Sequence, residues 1–331
     1  MRKINIALIG CGFIADYHAR GLQLLDNVEI SAVVGLPIET AENFAKKYNI
    51  KKTSSDYRDF VNDDNIDAVI ISTPNKFHAP IAIDFLKNGK EIFLEKPMAI
   101  SPFEGEEIIR VAKENNRIVM VGHMWRFDEE VNFIKELVTS GKLGKIIKTK
   151  GYGIHENWGP GGWFTQKKMS GGGALIDMGV HAIDTVRYIL GDPNPKEVYA
   201  KIRTYFGDYD VDDSGIIIIT WDNGTTSIIE SGWWQPHMDG PEASTQIFGT
   251  LGYASVLPTL VKLKSEEIIK IPETKKTDHC DQSIYSKQIQ NFVECIYSRK
   301  QPSPGYLEGQ TVIKIVEAAY KSSNSGEIVY L

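Results

Sequence analysis

The chain has 331 residues, 42% of them hydrophobic and 24% charged, and its 37 basic and 43 acidic side chains leave a formal net charge of −6. That length allows one large domain or two of ordinary size with real cores, and the mild acidity argues against a nucleic-acid or anionic-membrane partner. Cys11, Cys280 and Cys295 cannot all pair and none lies in a CxxC or Cys/His cluster, so small side chains in a reducing compartment are expected in place of disulfides or zinc.

Met1-Arg2-Lys3-Ile4 runs straight into a strand-like stretch with no apolar region and cleavage site, and no apolar run is long enough to span a bilayer. A cytoplasmic protein is expected. Residues 1–122 alternate short apolar runs with amphipathic segments of helical length: strand 4–9, helix 14–25, strand 28–34 and helix 39–48. Strand 66–72, helix 78–88, strand 91–94, helix 102–116 and strand 118–121 follow. These strands lack strict alternation, as expected when helices cover both sheet faces, and the β-α-β order predicts a parallel, doubly wound sheet. After Gly122 the pattern changes. Helical periodicity at 129–140 and 173–190 is joined by strand-like runs at 145–151, 197–205, 214–221, 225–234, 244–248, 252–256, 261–264 and 267–271. Turn residues such as Asp222-Asn223-Gly224 predict antiparallel pairing in this second domain, 123–331, which ends in helices at 283–298 and 308–322. The charged stretch 264–276, with Pro272, reads as a hairpin edge.

Gly10-Cys11-Gly12-Phe13-Ile14-Ala15 fits G-x-G-x-x-G/A between the first strand and the first helix. The first glycine permits the tight turn, the second lets backbone approach a pyrophosphate, and a small third residue lets helix and strand pack closely. The helix N-terminus adds free N–H groups and the positive end of its dipole. A structural turn is the alternative, but the β-α-β setting favours a dinucleotide. An acidic residue about twenty positions on would bind the ribose 2′-hydroxyl of NAD. The second strand instead ends Val33-Val34-Gly35-Leu36-Pro37, with neither acid nor base, which leaves NAD and NADP both open.

Ligands of such sheets bind outside the carboxyl ends of the strands, where Ser72-Thr73-Pro74-Asn75 and Glu95-Lys96-Pro97 are turn-rich. Pro97 biases Lys96 to an extended backbone, so its side chain can project, hydrogen-bond a substrate oxygen and exchange a proton. A solvated lysine beside Glu95 is the other reading. Ser170-Gly171-Gly172-Gly173-Ala174-Leu175-Ile176-Asp177-Met178-Gly179-Val180-His181 is a second unusual stretch. It spaces Asp177, His181 and Asp184 at i, i+4 and i+7, one face of a helix that Leu175, Ile176 and Val180 make largely buried. A carboxylate beside an imidazole suits a proton acceptor. A satisfied core histidine and a metal pair compete with that reading, though the pair is short of ligands.

Together these motifs resemble the Gfo/Idh/MocA family of oxidoreductases, named for glucose–fructose oxidoreductase and inositol dehydrogenase. The resemblance runs over nearly the whole chain. It takes in the turn at 10–15, Thr73-Pro74-Asn75 with His78, Gly89-Lys90, Glu95-Lys96-Pro97, Arg126-Phe127 and Gly141-Lys142-Leu143-Gly144. Trp163-Phe164, residues 171–181 with Asp184, Glu308-Gly309 and Glu317-Ala318-Ala319-Tyr320 continue it. It implies a Rossmann domain followed by an α/β domain whose open, mainly antiparallel sheet often forms oligomer contacts, hence a homo-oligomer, dimer or tetramer. Cofactor contacts are then expected from Gly10, Gly12, Phe13, Ile14, Ser72, Thr73, Pro74, Asn75, His78, Glu95 and Lys96.

The resemblance also implies that Lys96, Asp177 and His181 are the catalytic set, acting on a secondary alcohol of a sugar, cyclic polyol or glycoside. In the expected reaction His181 takes the hydroxyl proton, Asp177 orients the ring and Lys96 polarises the same oxygen, with the roles of His181 and Lys96 exchangeable. Gly35 departs from the pattern, because NAD-using relatives commonly carry an acidic residue there. Tyr152-Gly153-Ile154-His155-Glu156-Asn157-Trp158-Gly159-Pro160, leading to Trp163, lies where relatives place substrate contacts, and polar groups beside aromatic faces suit a carbohydrate. His155, Asn157 and Trp163 are therefore substrate candidates. Arg126 is another, unless a structural ion pair holds it. Trp233-Trp234-Gln235-Pro236-His237 faces either the site or an oligomer contact. A redox-neutral NAD-dependent glycosidase and a non-catalytic dinucleotide-binding sensor are the competing functions.

Overall fold

The structure is a computed structural model that describes residues 2–236, 243–272 and 281–331, so His237 and Cys280 lie outside the described residues. Its elements begin with β1 (Ile4–Ile9), α1 (Phe13–Gln23), β2 (Val28–Val34), α2 (Ile38–Tyr48), β3 (Lys52–Ser54), α3 (Arg58–Val61) and β4 (Ala68–Ile71). Then come α4 (His78–Lys87), β5 (Glu91–Leu94), α5 (Pro102–Glu114), β6 (Val119–Val121), α6 (Glu129–Thr139), β7 (Ile146–Glu156), α7 (Lys167–Ser170) and α8 (Val180–Ile189). Strands β8 (Pro195–Arg203), β9 (Ser214–Trp221), β10 (Thr226–Gln235), β11 (Ser244–Gly249), β12 (Gly252–Val256) and β13 (Leu260–Leu263) precede α9 (Gln282–Ser298), α10 (Tyr306–Ser325) and β14 (Val329–Tyr330). The chain forms two compact units, Met1–Met124 with Cys280–Gln310, and Trp125–His279 with Thr311–Leu331.

In the first unit β1 to β6 form a parallel sheet in the order β3-β2-β1-β4-β5-β6. This is the doubly wound Rossmann order, with its switch point between β1 and β4. Every residue of β4 and β5 is buried, as strands covered on both faces require. Val69, Ile71, Ile92 and Leu94 pack with Phe85 and Leu86 of α4 and with Ile108 and Val111 of α5. Each such side chain contributes roughly 1.5–3 kcal/mol by leaving water. The 123–331 domain read from the sequence includes α9, but α9 belongs to this first unit. Its Tyr285 ring lies 4.8 Å from Tyr17 of α1, and its Phe292 ring lies 5.7 Å from Phe93.

In the second unit eight strands run in the order β13-β12-β11-β7-β10-β9-β8-β14, antiparallel throughout except for the β7–β10 pair. On β9, Gly215, Ile217, Ile219 and Trp221 point into the core made with α8 and the later turns of α10, while Ile216 and Ile218 face outward. One sheet face is thus covered and the other open. Two expectations are corrected. Residues 267–271 form no strand, and Ile268, which suggested one, is 95% exposed with no core to join. Residues 173–190 are not one α-helix: the backbone is π-helical over Leu175–Gly179 before α8 begins. Among the described residues, no helix is long and apolar enough to cross a membrane.

Candidate active site

In the first unit β1 is followed by Gly10, whose φ of 105° and 2.6 Å approach of a would-be Cβ to the Ser72 carbonyl oxygen admit only glycine. Gly12 differs: its φ of −83° suits any residue, no side chain caps α1 there, and a Cβ would meet nothing within 4 Å. The protein itself does not require that glycine. The bare surface and the first N–H groups of α1 form a cradle suited to a pyrophosphate. Phe13 is exposed, and Ser72, Thr73 and Pro74 are half-buried where β4 ends.

His78 was expected at the cofactor but is fully buried, with Nδ1 and Nε2 each 2.8 Å from a backbone oxygen, those of Pro97 and Thr73. It braces the loops after β4 and β5, and burial holds its imidazole below the ordinary value. Glu95 is likewise an internal anchor. One carboxylate oxygen lies 2.7 Å from His18 Nε2 and the other accepts the Lys96 backbone N–H at 3.1 Å. This fixes the backbone from which half-buried Lys96 projects. Sequence reasoning passed over His18, because a lone histidine on a helix's inner face looks like any core residue. At the end of β2, a Cβ on Gly35 would overlap Cys11 Sγ and lie 2.7 Å from Thr40 Oγ1. Cys11 and Thr40, 3.2 Å apart, thus occupy the space that a side chain at position 35 would enter.

In the second unit the Gly171–Gly173 turn wraps around Asp212, whose carboxylate accepts the N–H groups of Gly173 and Leu175 at 2.8 Å each and the Tyr320 hydroxyl at 2.6 Å. A Cβ on Gly172 would collide with Tyr320, and one on Gly173 with the Asp212 backbone. Burial pushes the Asp212 carboxyl up, and the Tyr320 hydroxyl well up. The Asp212 carbonyl also accepts the Ala174 N–H at 2.8 Å, so the turn is tied at three consecutive residues. The segment it starts lies so close to β7 that a Cβ on Gly153 would strike the Met178 carbonyl.

That approach sets Asp177 beside β7. Its Oδ2 accepts the Trp233 indole N–H at 3.1 Å and lies 3.8 Å from His155 Nε2. Asp177, His155 and His181 are all buried. The strand read as 145–151 runs on to Glu156, so His155 is on β7 itself, with the Trp158 ring 3.6 Å from its own. Trp158 is half-exposed, Asn157 is exposed in a left-handed conformation, and Trp163 stacks on Phe164 at 3.8 Å. Arg126 is removed from the substrate candidates. Its guanidinium, almost fully buried, donates to both Asp184 oxygens at 2.9 and 2.8 Å and both Asp192 oxygens at 3.1 and 2.7 Å. Burial alone would lower its pKa, but the two carboxylates raise it, so the cation is permanent and spent on the fold. Asp184 is held in that pair. No group of three or more His, Cys, Asp or Glu that could hold a metal occurs among the described residues.

The first unit thus carries a Rossmann sheet with an open cradle at the start of α1, and the second carries a buried carboxylate beside an imidazole. Residues 4–123 match the oxidoreductase family with an NAD-binding Rossmann fold, and residues 131–255 match the GFO/IDH/MocA C-terminal domain. The chain belongs to the Gfo/Idh/MocA family. It is 29% identical to the scyllo-inositol 2-dehydrogenase (NAD(+)) of Bacillus subtilis, over 99% of this chain and 96% of that one. It is 27% identical to the D-glucoside 3-dehydrogenase of Escherichia coli, over 99% and 97%. Levoglucosan dehydrogenase in complex with NADH is similar in fold, with a TM-score of 0.89 at 23% identity and 99% of each chain covered.

Proposed function

We propose that the protein interconverts a secondary alcohol and its ketone on a sugar, cyclic polyol or glycoside, with a nicotinamide dinucleotide as redox partner. The observation that carries this reading is the buried Asp177 carboxylate, set 3.1 Å from the Trp233 nitrogen and 3.8 Å from His155 on the segment that leads into His181. When bound, the nicotinamide would exchange a hydride with the carbinol carbon. Gly10, Gly12 and the N–H groups of α1 hold the pyrophosphate, with Phe13, Ile14, Ser72, Thr73, Pro74 and Asn75 lining the dinucleotide. His181 takes the hydroxyl proton, Asp177 orients its ring, and Lys96 donates a hydrogen bond to a substrate oxygen. The rings of half-exposed Trp158 and half-buried Trp163 suit the C–H faces of a sugar, and His155 and Asn157 suit its hydroxyls. NAD is the first candidate, because Gly35-Leu36-Pro37 presents no cation to a 2′-phosphate. The names of the relatives, an inositol and a glucoside dehydrogenase, support the alcohol class. The open sheet face, with Ile216 and Ile218 outward, supports a homo-oligomer.

The test follows nicotinamide absorbance with NAD and with NADP across inositols, aldoses, sugar acids and glycosides. Net reduction with one alcohol is expected. Release of an aglycone without net reduction would replace this reading with a redox-neutral glycosidase, and cofactor binding without any turnover would replace it with a sensor.

A further inference from the structure

Strand β10 pairs in register with β7 as far as Gly232 opposite Ile154, and resumes with Gln235 opposite Glu156. Trp233 and Trp234 together therefore face the single residue His155. Two residues against one is a β-bulge, rare in a parallel pair and typical of places where a side chain is re-aimed beside a functional site. The extra residue, Trp234, takes a left-handed φ of 62° and turns outward. Trp233 stays on the inner face, 0% exposed, packed with Ala174, Met178, Val211, Phe164 and Tyr209. Its backbone N–H donates to the Asp213 carbonyl at 2.9 Å, which leaves the indole N–H to choose its own partner. That partner is Asp177 Oδ2 at 3.1 Å. The bulge carries one more tie: Trp234 N–H donates to the Trp158 carbonyl at 2.8 Å, which anchors the residue whose ring stacks on His155.

An indole N–H buried in an apolar cluster must find an acceptor, and a buried carboxylate must find donors. Each solves the other's problem, and the solution fixes the carboxylate in one orientation. We propose that Trp233 is a positioning residue for the reaction: through its indole N–H it holds the Asp177 carboxylate in the orientation that aligns the proton acceptor. The proposal rests on the catalytic reading of Asp177 given above. It excludes Trp233, though not Trp234, from an oligomer contact.

The test uses the full chain and whichever alcohol it turns over. Trp233 is replaced by Phe, and separately by its benzothienyl isostere, which keeps the bicyclic shape and removes only the N–H. Both are also made in an Asp177→Asn background. A hydrogen bond to a charged group of this kind predicts a drop in kcat of about tenfold or more in the isostere, with the dinucleotide Kd unchanged. In the Asp177→Asn background the isostere should change kcat less than about twofold, since a residue that acts through Asp177 is coupled to it. Wild-type kcat in the isostere overturns the proposal whatever Phe does, and so does a full tenfold loss in the Asp177→Asn background, which would make Trp233 a packing residue only. Wild-type turnover in Asp177→Asn itself overturns the underlying catalytic reading instead, so the two failures are distinguishable.

Discussion

Two glycine-rich turns open the segments that carry the proposed cofactor cradle and the proposed proton acceptor, and they differ in what stands where the side chain would be. At Gly12 the absent side chain faces open space, with nothing among the described residues within 4 Å of a Cβ there. At Gly172 and Gly173 the absent side chains are replaced by the chain's own atoms, the Tyr320 hydroxyl and the Asp212 backbone. One turn is bare. The other is already filled by the protein. The difference means that substitutions of the same kind should separate binding from stability in the first turn and fuse stability with activity in the second.

The largest effect should come from Gly173→Ala. The new Cβ would lie inside the Asp212 backbone, which is tied to Ala174 and cannot yield as a flexible side chain could. Overpacking of this severity costs at least about 3 kcal/mol, or roughly 10 °C in melting temperature for a unit of this size. Turnover should be lost with it. A melting temperature within two or so degrees of wild type would show that the turn is looser than its packing indicates, and the contrast with Gly12 would collapse.

Gly12→Val should do the reverse. With an ordinary φ and no neighbour to strike, the substitution should leave the melting temperature nearly unchanged. Dinucleotide affinity should fall about a hundredfold, close to 3 kcal/mol, because the side chain occupies the space the pyrophosphate needs. Calorimetric titration with NAD reads the affinity directly. Unchanged affinity would mean that the first turn, too, is structural.

The two turns were not equally legible. The first is a short-range device: strand, turn and helix are contiguous, so the spacing of Gly10, Gly12 and Ala15 carries the whole argument. The apolar runs around it likewise announce a sheet covered on both faces. The second turn depends on partners far along the chain, Asp212 and Tyr320, and nothing local predicts them. The π-helical stretch after it is not legible either, because apolar residues around Asp177 and His181 at i and i+4 read as ordinary α-helical spacing. The bond from Trp233 to Asp177 depends on a bulge, which no periodicity reveals. Short or exposed elements failed differently: β3 has only one buried residue, and the run around Ile268 is rich in β-branched residues but has no core to face. Arg126 and His78 were recognised as noteworthy from the resemblance, yet the structure spends both on internal contacts, because a motif does not tell a ligand from a brace.

The contrast between open and filled sites extends, more weakly, to carboxylates that anchor loops. Asp212 is enclosed, and burial raises its pKa; any stability that this shift contributes is present below the usual carboxylate value and lost as pH rises through the raised one. Asp63, in the first unit, is the opposite case. Lys52 donates to its carboxylate at 2.5 Å, and the Asn65 backbone N–H and side-chain amide donate at 2.9 Å each. The Lys52 ammonium, helped by Asn65, lowers its pKa to about 2. Because the folded value is depressed, its contribution is fully present above the unfolded value of 3.8 and is lost as pH falls towards about 2. Solvent around Lys52 limits the worth of this pair to about 0.2–1 kcal/mol. Asp63→Asn should therefore lower the urea midpoint slightly at pH 6, and the gap from wild type should narrow between pH 5 and pH 3. A gap that stayed constant over that range would assign the loss to the turn's neutral hydrogen bonds, and the opposition between the two carboxylates would reduce to a difference in burial alone.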